Sequence, residues 1–439
     1  MKTRRIELTQ SDLTLIPLDY IQKGLLFPKP QDQAQPFSQW LERLNTAFYK
    51  ALDIFFPLAG RLVMIQNDDV QLTKSFFIDC NDAGGASVDH VTFDGVTVAD
   101  ILDPVYIPED VVYSFFPLNS ALNYEGVSKP LLAAQVTELV DAVFIALSAN
   151  HSVADGTVFW LFFNTWSRIS RDNGVVLDPP HLVFDRDQFF EGVSGTDLPL
   201  RIPFNPDDIE TPSSTPITLK QRMLHFSKES IAKLKAKANA EIVDLPTMAN
   251  VNISSLQAVM AHLWVSITRN RRHLKPEQNV YYIVIVGLRQ RTDPPLAEAY
   301  FGNAVLIGTV ETTAEKLLEK NGLGWAALQI NTMVASQTSE KAREYLKDWA
   351  ESPKEVKIQK ESGVQLGTGS SPRFDVYGND FGWGRPLTVR SGPGNKFDGK
   401  LTVFPGATEQ GSIDFEVCLR SETLESMAYD EEFLETLTI

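Results

Sequence analysis

Cysteine is nearly absent: Cys80 and Cys418 are the only two in 439 residues, far apart and outside any metal-ligand or redox spacing. That excludes a disulfide-built secreted scaffold and fits a reducing compartment. Long apolar runs are missing as well. No stretch approaches the roughly 20 residues needed to span a bilayer, and the basic residues of Met1-Lys2-Thr3-Arg4-Arg5-Ile6-Glu7 have no apolar segment behind them. No leader and no membrane partner are expected, and the cytoplasm is the expected location. Positive charge is scarce, with 40 Lys and Arg against 56 Asp and Glu and a formal net charge of -16. Wrapping a polyanion needs a basic face, so nucleic acid is not an expected partner. A few cations at one pocket mouth can still hold the phosphates of a coenzyme. Internal repeats and low-complexity tracts are lacking too, and 26 Gly with 25 Pro is no excess.

What is present is the composition of an ordinary globular protein, 43% hydrophobic and 10% aromatic. At this length one core stops growing, so two domains are expected. Arg171-Asp172-Asn173-Gly174, Asp178-Pro179-Pro180, Arg201-Ile202-Pro203 and Thr211-Pro212-Ser213-Ser214-Thr215-Pro216 punctuate a region of little periodicity. The expected division is therefore 1–175, a crossover over 176–216, and 217–439.

Leu131–Thr137 and Val143–Ser148 read as strands joined by a Val140-Asp141 turn. Val158–Ser167, with Phe159, Trp160, Phe162, Phe163 and Trp166, reads as a buried helix whose aromatics are core and not a substrate cage. In the second half Ser227 suits the cap of a helix over Lys228–Ala240, and Leu256 to Ile267 carries helical spacing. Strands are expected at Val280–Val286, Gly302–Val310, Lys400–Phe404 and Ser412–Leu419, and helix over most of Thr313–Trp349 with a break near Gly322 and Gly324. Strands mixed with helices imply an α/β architecture.

His151 falls between the strand end and the helix start. An imidazole titrates near neutrality, so it can take a proton from an attacking hydroxyl or amine and return it to a leaving group. A lone histidine is as readily a core residue, and the context decides. Asn150-His151-Ser152-Val153-Ala154-Asp155-Gly156, together with Asp380-Phe381-Gly382-Trp383-Gly384-Arg385-Pro386, resembles the two signatures, His-x-x-x-Asp-Gly and Asp-Phe-Gly-Trp-Gly, of the plant BAHD acyltransferases. Phe56–Leu62, Tyr300-Phe301-Gly302-Asn303 and Ala261–Trp264 resemble the family as well, so the likeness covers essentially the whole chain.

The resemblance implies a chloramphenicol-acetyltransferase-like fold of two domains, with mixed sheets and an active-site channel between the domains. It implies an O- or N-acyltransferase of plant specialised metabolism, acting as a monomer on a small-molecule acceptor. Acyl-CoA would be its co-substrate, with no permanently bound cofactor and no metal. His151 would be the general base. Trp383, whose indole N–H can only donate, is the candidate donor to the oxyanion. Asp155 would be structural, facing away from the cavity onto an arginine. Asp380 would pair with Arg289 or, failing that, Arg291. Gly382 and Gly384 suit a tight turn. Ser254 and Ser255, at a helix start, are candidates for the coenzyme phosphates. A lyase cleaving an acyl-amino-acid conjugate and a non-catalytic binder are the alternatives. The first would be favoured by a lost histidine and the second by decay of one signature. Here both signatures are intact.

Overall fold

The computed structural model describes residues 5–30, 36–69, 72–81, 84–186, 198–209, 218–242, 251–353 and 363–437. Met1–Arg4 and the Thr211–Pro216 punctuation of the crossover lie outside the described residues.

Fourteen strands among the described residues form three sheets. A small one orders β1 (Arg5–Glu7), β4 (Lys74–Asp79) and β3 (Arg61–Gln66). The sheet that carries His151 has the order β12-β2-β7-β6-β5, built from Thr388–Ser391, Ile21–Pro28, Ala142–Ala149, Leu132–Glu138 and Ser87–Thr92. Its β5–β6 pair is parallel and the others antiparallel, so the sheet is mixed as expected. Strand β7 is buried along its whole length. It therefore reads as a continuous apolar run, as a strand covered on both faces must. Val143, Ile145 and Leu147 meet the core beneath two long helices, while Phe144 and Ala146 meet Phe115 and Phe116 on the other face.

Those helices are α1 (Phe37–Ile54) and α2 (Gly156–Arg171). Phe162 of α2 meets Phe48 and Phe55 edge to face, at 5.5 and 5.3 Å between ring centres. The Trp166 indole N–H donates to the Leu44 carbonyl at 2.9 Å. The aromatic run of α2 is core, and its rings satisfy the geometry that aromatic pairs prefer.

The third sheet has the order β10-β9-β11-β13-β14-β8. It is made of Val305–Thr313, Asn279–Gly287, Gln365–Gly369, Lys400–Pro405, Ile413–Arg420 and Leu219–Phe226. Helices α3 (Lys228–Ile242), α4 (Ser255–Asn270) and α5 (Gly322–Ser336) cover one face, closing a second core with Leu401, Val403, Phe415 and Val417. Alternation turns Lys400, Thr402, Asp414 and Glu416 to the opposite face. The helical stretch after β10 breaks at Leu318–Asn321, where Asn321 sits at φ +66°, and resumes as α5 and α6 (Ser339–Glu351). Strand β10 starts at Val305 and not at Gly302, because Gly302 and Asn303 belong to a loop tied to the segment that carries His151.

The two halves interlock. Strand β12 crosses back to pair with β2, and the larger core takes Leu296, Phe301, Leu346, Trp349, Phe381 and Phe404 from the second half of the chain.

Candidate active site

His151 stands two residues beyond β7, in the bend between that strand and α2, and is half-buried. Its main chain is held from separate segments. The backbone N–H donates to Asn123 Oδ1 at 2.7 Å, and its carbonyl accepts from Asn303 Nδ2 at 2.8 Å. Asn303 in turn donates its backbone N–H and its side-chain amide to Asp12 Oδ1, at 2.7 and 2.9 Å. Asn150 closes the bend by donating to the Asn123 carbonyl and accepting from the Ser152 N–H and hydroxyl. No hydrogen bond is made by either ring nitrogen to a described side chain. The carbonyls of His151 itself and Ala154 lie beside the ring. Burial pushes the imidazole pKa down and the Lys400 ammonium adds to this, against the pull of those carbonyls and the Asp155 charge. The net shift is downward and favours the neutral ring.

Asp155 does not touch the ring. Its carboxylate caps α2, accepting from the Thr157 and Val158 N–H groups at 3.0 and 3.1 Å. It also receives the Arg289 guanidinium in a forked pair, at 2.5 and 3.1 Å. Arg289 donates further to the carbonyls of Tyr300 and Gly302. Both side chains are more than nine-tenths buried. Removing one member strands the other charge, at a cost of about 3–5 kcal/mol. The pair joins the His151 bend to the loop ahead of β10, across the chain's two halves.

That pairing corrects the expectation for Asp380, since Arg289 is committed to Asp155 and Arg291 donates to the carbonyls of Val334 and Gln337. Asp380 instead accepts from the N–H groups of Gly382 and Gly384 at 2.7 and 3.0 Å, closing the turn of its own motif. Both glycines have φ above +110°, the region that excludes most side chains. Arg43 of α1 is the nearby cation and donates to the Phe381 carbonyl at 2.6 Å.

Trp383 is likewise misplaced for an oxyanion donor. Its ring packs against Trp40, Phe27 and Phe381 at 5.1–5.9 Å. Phe27 is the ladder partner of Val143, at the start of β7, whereas His151 lies beyond its end. Six residue steps of strand separate Val143 from the end of β7 at Ala149, about 20 Å at ~3.3 Å each, and His151 lies beyond that end. The motif's approach confirms the separation: Phe374 lies against Gly156, Asn379 binds Asn164, and the Phe381 carbonyl accepts from Ser170. The 374–383 segment thus runs along α2 away from the histidine.

Ser254 caps α4, with Gln257 N–H donating to its hydroxyl at 3.3 Å and its own N–H reaching Gln257 Oε1 at 2.9 Å. Ser255 follows as the first helical residue. His262 is a core residue, bonded to Thr436 at 2.8 Å and with its pKa lowered to about 4 by burial. No cluster of three or more metal-ligating side chains exists among the described residues. Sequence reasoning missed Asn123 and Asp12, which hold the bend. Only the Tyr300–Asn303 stretch carried a local signal for a residue that holds His151.

A model of the transferase family matches residues 1–434. The chain is 33% identical to the Arabidopsis thaliana BAHD acyltransferase DCR, over 98% of this chain and 88% of that protein. The chain belongs to the BAHD acyltransferase family. It is also 43% identical to an uncharacterized acetyltransferase of Arabidopsis thaliana, over 98% of this chain and 94% of its relative. In fold, it superposes with a TM-score of 0.77 on TRI101 of F. sporotrichioides, solved with coenzyme A and T-2, at 16% identity and 99% coverage of both chains. The two-domain architecture of the family is thereby present, and the chain is an acyltransferase.

Proposed function

We propose that this BAHD enzyme transfers an acyl group from a coenzyme A thioester to a hydroxyl or amine of a small-molecule acceptor of plant specialised metabolism, with His151 as general base. The observation that supports this reading is the state of His151. Its main chain is clamped by Asn123 and Asn303, burial favours its neutral ring, and no described side chain hydrogen-bonds that ring. A neutral imidazole so held takes the acceptor's proton as the acceptor attacks the thioester carbonyl. The tetrahedral adduct then collapses, the C–S bond breaks, and the imidazolium returns its proton to the leaving thiolate. The role of Asp155 and Arg289 is to fix the bend, not to orient the ring. For the coenzyme phosphates we assign Ser255 and the N-terminus of α4, since helix N-termini favour anions and the Ser254 hydroxyl is already engaged by Gln257.

The test is thiol release from a panel of acyl-CoA donors with alcohol and amine acceptors. His151→Ala is expected to keep the fold and lose about 10²–10⁴-fold in kcat/KM. Undiminished turnover in that variant removes His151 from the mechanism. Cleavage of an acyl conjugate without coenzyme A, and no acyl-CoA consumption, would replace transfer by lysis.

A further inference from the structure

Three lysines sit where the polar face of the six-stranded sheet meets the His151 sheet. Lys400 comes from β13, Lys396 from the loop before it, and Lys23 from β2. Lys23 points its Nζ at Ser391 Oγ, 2.8 Å away, and lies 5.6 Å from the ring of Phe404 on the opposed sheet. Lys400 lies 5.9 Å from the Phe397 ring and makes no ion pair or hydrogen bond with a described residue. Its ladder partners are Gly367 on β11, which adds no side chain to the space, and Cys418 on β14.

The carboxylates nearby are already committed. Glu416 receives Lys396 Nζ at 2.5 Å and the Ser391 N–H at 2.9 Å. Despite the upward push of burial, Lys396 and Lys23 carry its pKa down to about 2, so it stays charged. Asp398 is held by Arg271 and Arg420, and Asp414 by His225. Lys396 is therefore ion-paired, while Lys23 and Lys400, both half-buried, feel Glu416 at a distance but have no carboxylate within ion-pair reach among the described residues. Burial pushes Lys23 down to about 7 and Lys400 to about 8, against the pull of Glu416.

Their location ties them to the chemistry. Lys400 is close enough to His151 to depress its pKa. Lys23 is the ladder partner of Leu147, two residues before the end of β7, and His151 follows in the bend directly beyond that end. A substrate whose reacting group lies at His151 can reach both ammoniums with a substituent.

We propose that Lys23 and Lys400 form a receptor for a carboxylate carried by one of the two substrates, either an acidic acceptor or the free carboxyl of a dicarboxylic acyl group. The proposal rests on the acyl-transfer reading of His151 and adds the charge of what it acts on. A desolvated ammonium pair binds a carboxylate strongly and rejects its ester, because the ester leaves both charges uncompensated.

Wild-type enzyme is assayed with hydroxybenzoic, hydroxycinnamic and amino-acid acceptors, each against its methyl ester, and with malonyl-CoA and succinyl-CoA against acetyl-CoA. In one arm the acid should exceed its neutral counterpart by about tenfold or more in kcat/KM. The arm that responds identifies which substrate bears the carboxylate. In Lys23→Met and Lys400→Met that ratio should collapse towards one, and Lys23→Arg should retain it. The ratio within each variant is insensitive to partial misfolding. Equal use of acids and neutral counterparts in both arms by the wild type overturns the proposal, as does a ratio untouched by both methionine variants. Calorimetric binding of the same acids and esters to His151→Ala separates the two readings. Retained acid preference there without turnover upholds the receptor whatever becomes of the base, whereas equal affinity for acid and ester rejects it.

Discussion

At the scale of single residues, the proposed role of His151 as base makes the pH dependence of turnover follow from what surrounds one ring. The groups facing His151 are the Lys400 ammonium, the Asp155 carboxylate and the carbonyls of His151 and Ala154. Burial and Lys400 disfavour the imidazolium and the others favour it, with a net downward shift. The acidic limb of kcat/KM, which reports the free enzyme's base, is therefore expected below the ordinary histidine value of about 6.5. Lys400→Met removes a repelling charge, so His151 should hold its proton to higher pH and the limb should move upward. A limb that stays in place or moves down would show that Lys400 does not act on the ring. The histidine and its aspartate were legible in the chain because the motif is local, six residues between a strand and a helix. The lysines were not legible. Lys23 and Lys400 come from opposed sheets and Lys396 from a loop, and nothing about a lysine in a strand announces that its neighbour lies nearly four hundred residues away.

At the scale of elements, the second signature is a strap along α2. Asp380 folds its own turn through the Gly382 and Gly384 N–H groups, and Trp383 fills a hydrophobic pile with Trp40 and Phe27. Trp383→Phe retains most of that packing and loses only the indole N–H, which has no hydrogen-bond partner among the described residues. It is expected to keep kcat within a few fold while lowering the thermal midpoint. A loss of kcat of a hundredfold or more at unchanged stability, the size seen when an oxyanion donor is removed, would return Trp383 to the chemistry. The sequence supported the tight turn, since only glycines tolerate those φ values. It misassigned the partners because opposite charges far apart in a chain can be matched in several ways. Both carboxylates needed a partner, and the buried guanidinium at 289 went to the one that also caps a helix.

At the scale of the whole molecule, the two-domain α/β architecture was readable from length and alternation, whereas the exchange of strand β12 was not. Four residues, Thr388–Ser391, complete the edge of a sheet otherwise made by the first 150 residues. The larger core closes only with side chains from both sides of the crossover. Apolar surface shared in this way couples the unfolding of the two lobes, so calorimetry should show one thermal transition instead of two. Val389, buried at the middle of β12, is the probe: Val389→Asp should lower the single midpoint without splitting it. Two well-separated transitions in the native chain would show that the lobes fold independently.

The exchanged strand also limits how traffic can pass the histidine. Lobes hinged on one side could swing apart like a clamshell, but here such an opening would unzip the β12–β2 ladder on every turnover. Passage that leaves this ladder intact is expected to run between the lobes without parting them, so bulk at a product's trailing end should slow release more than the difficulty of the bond made.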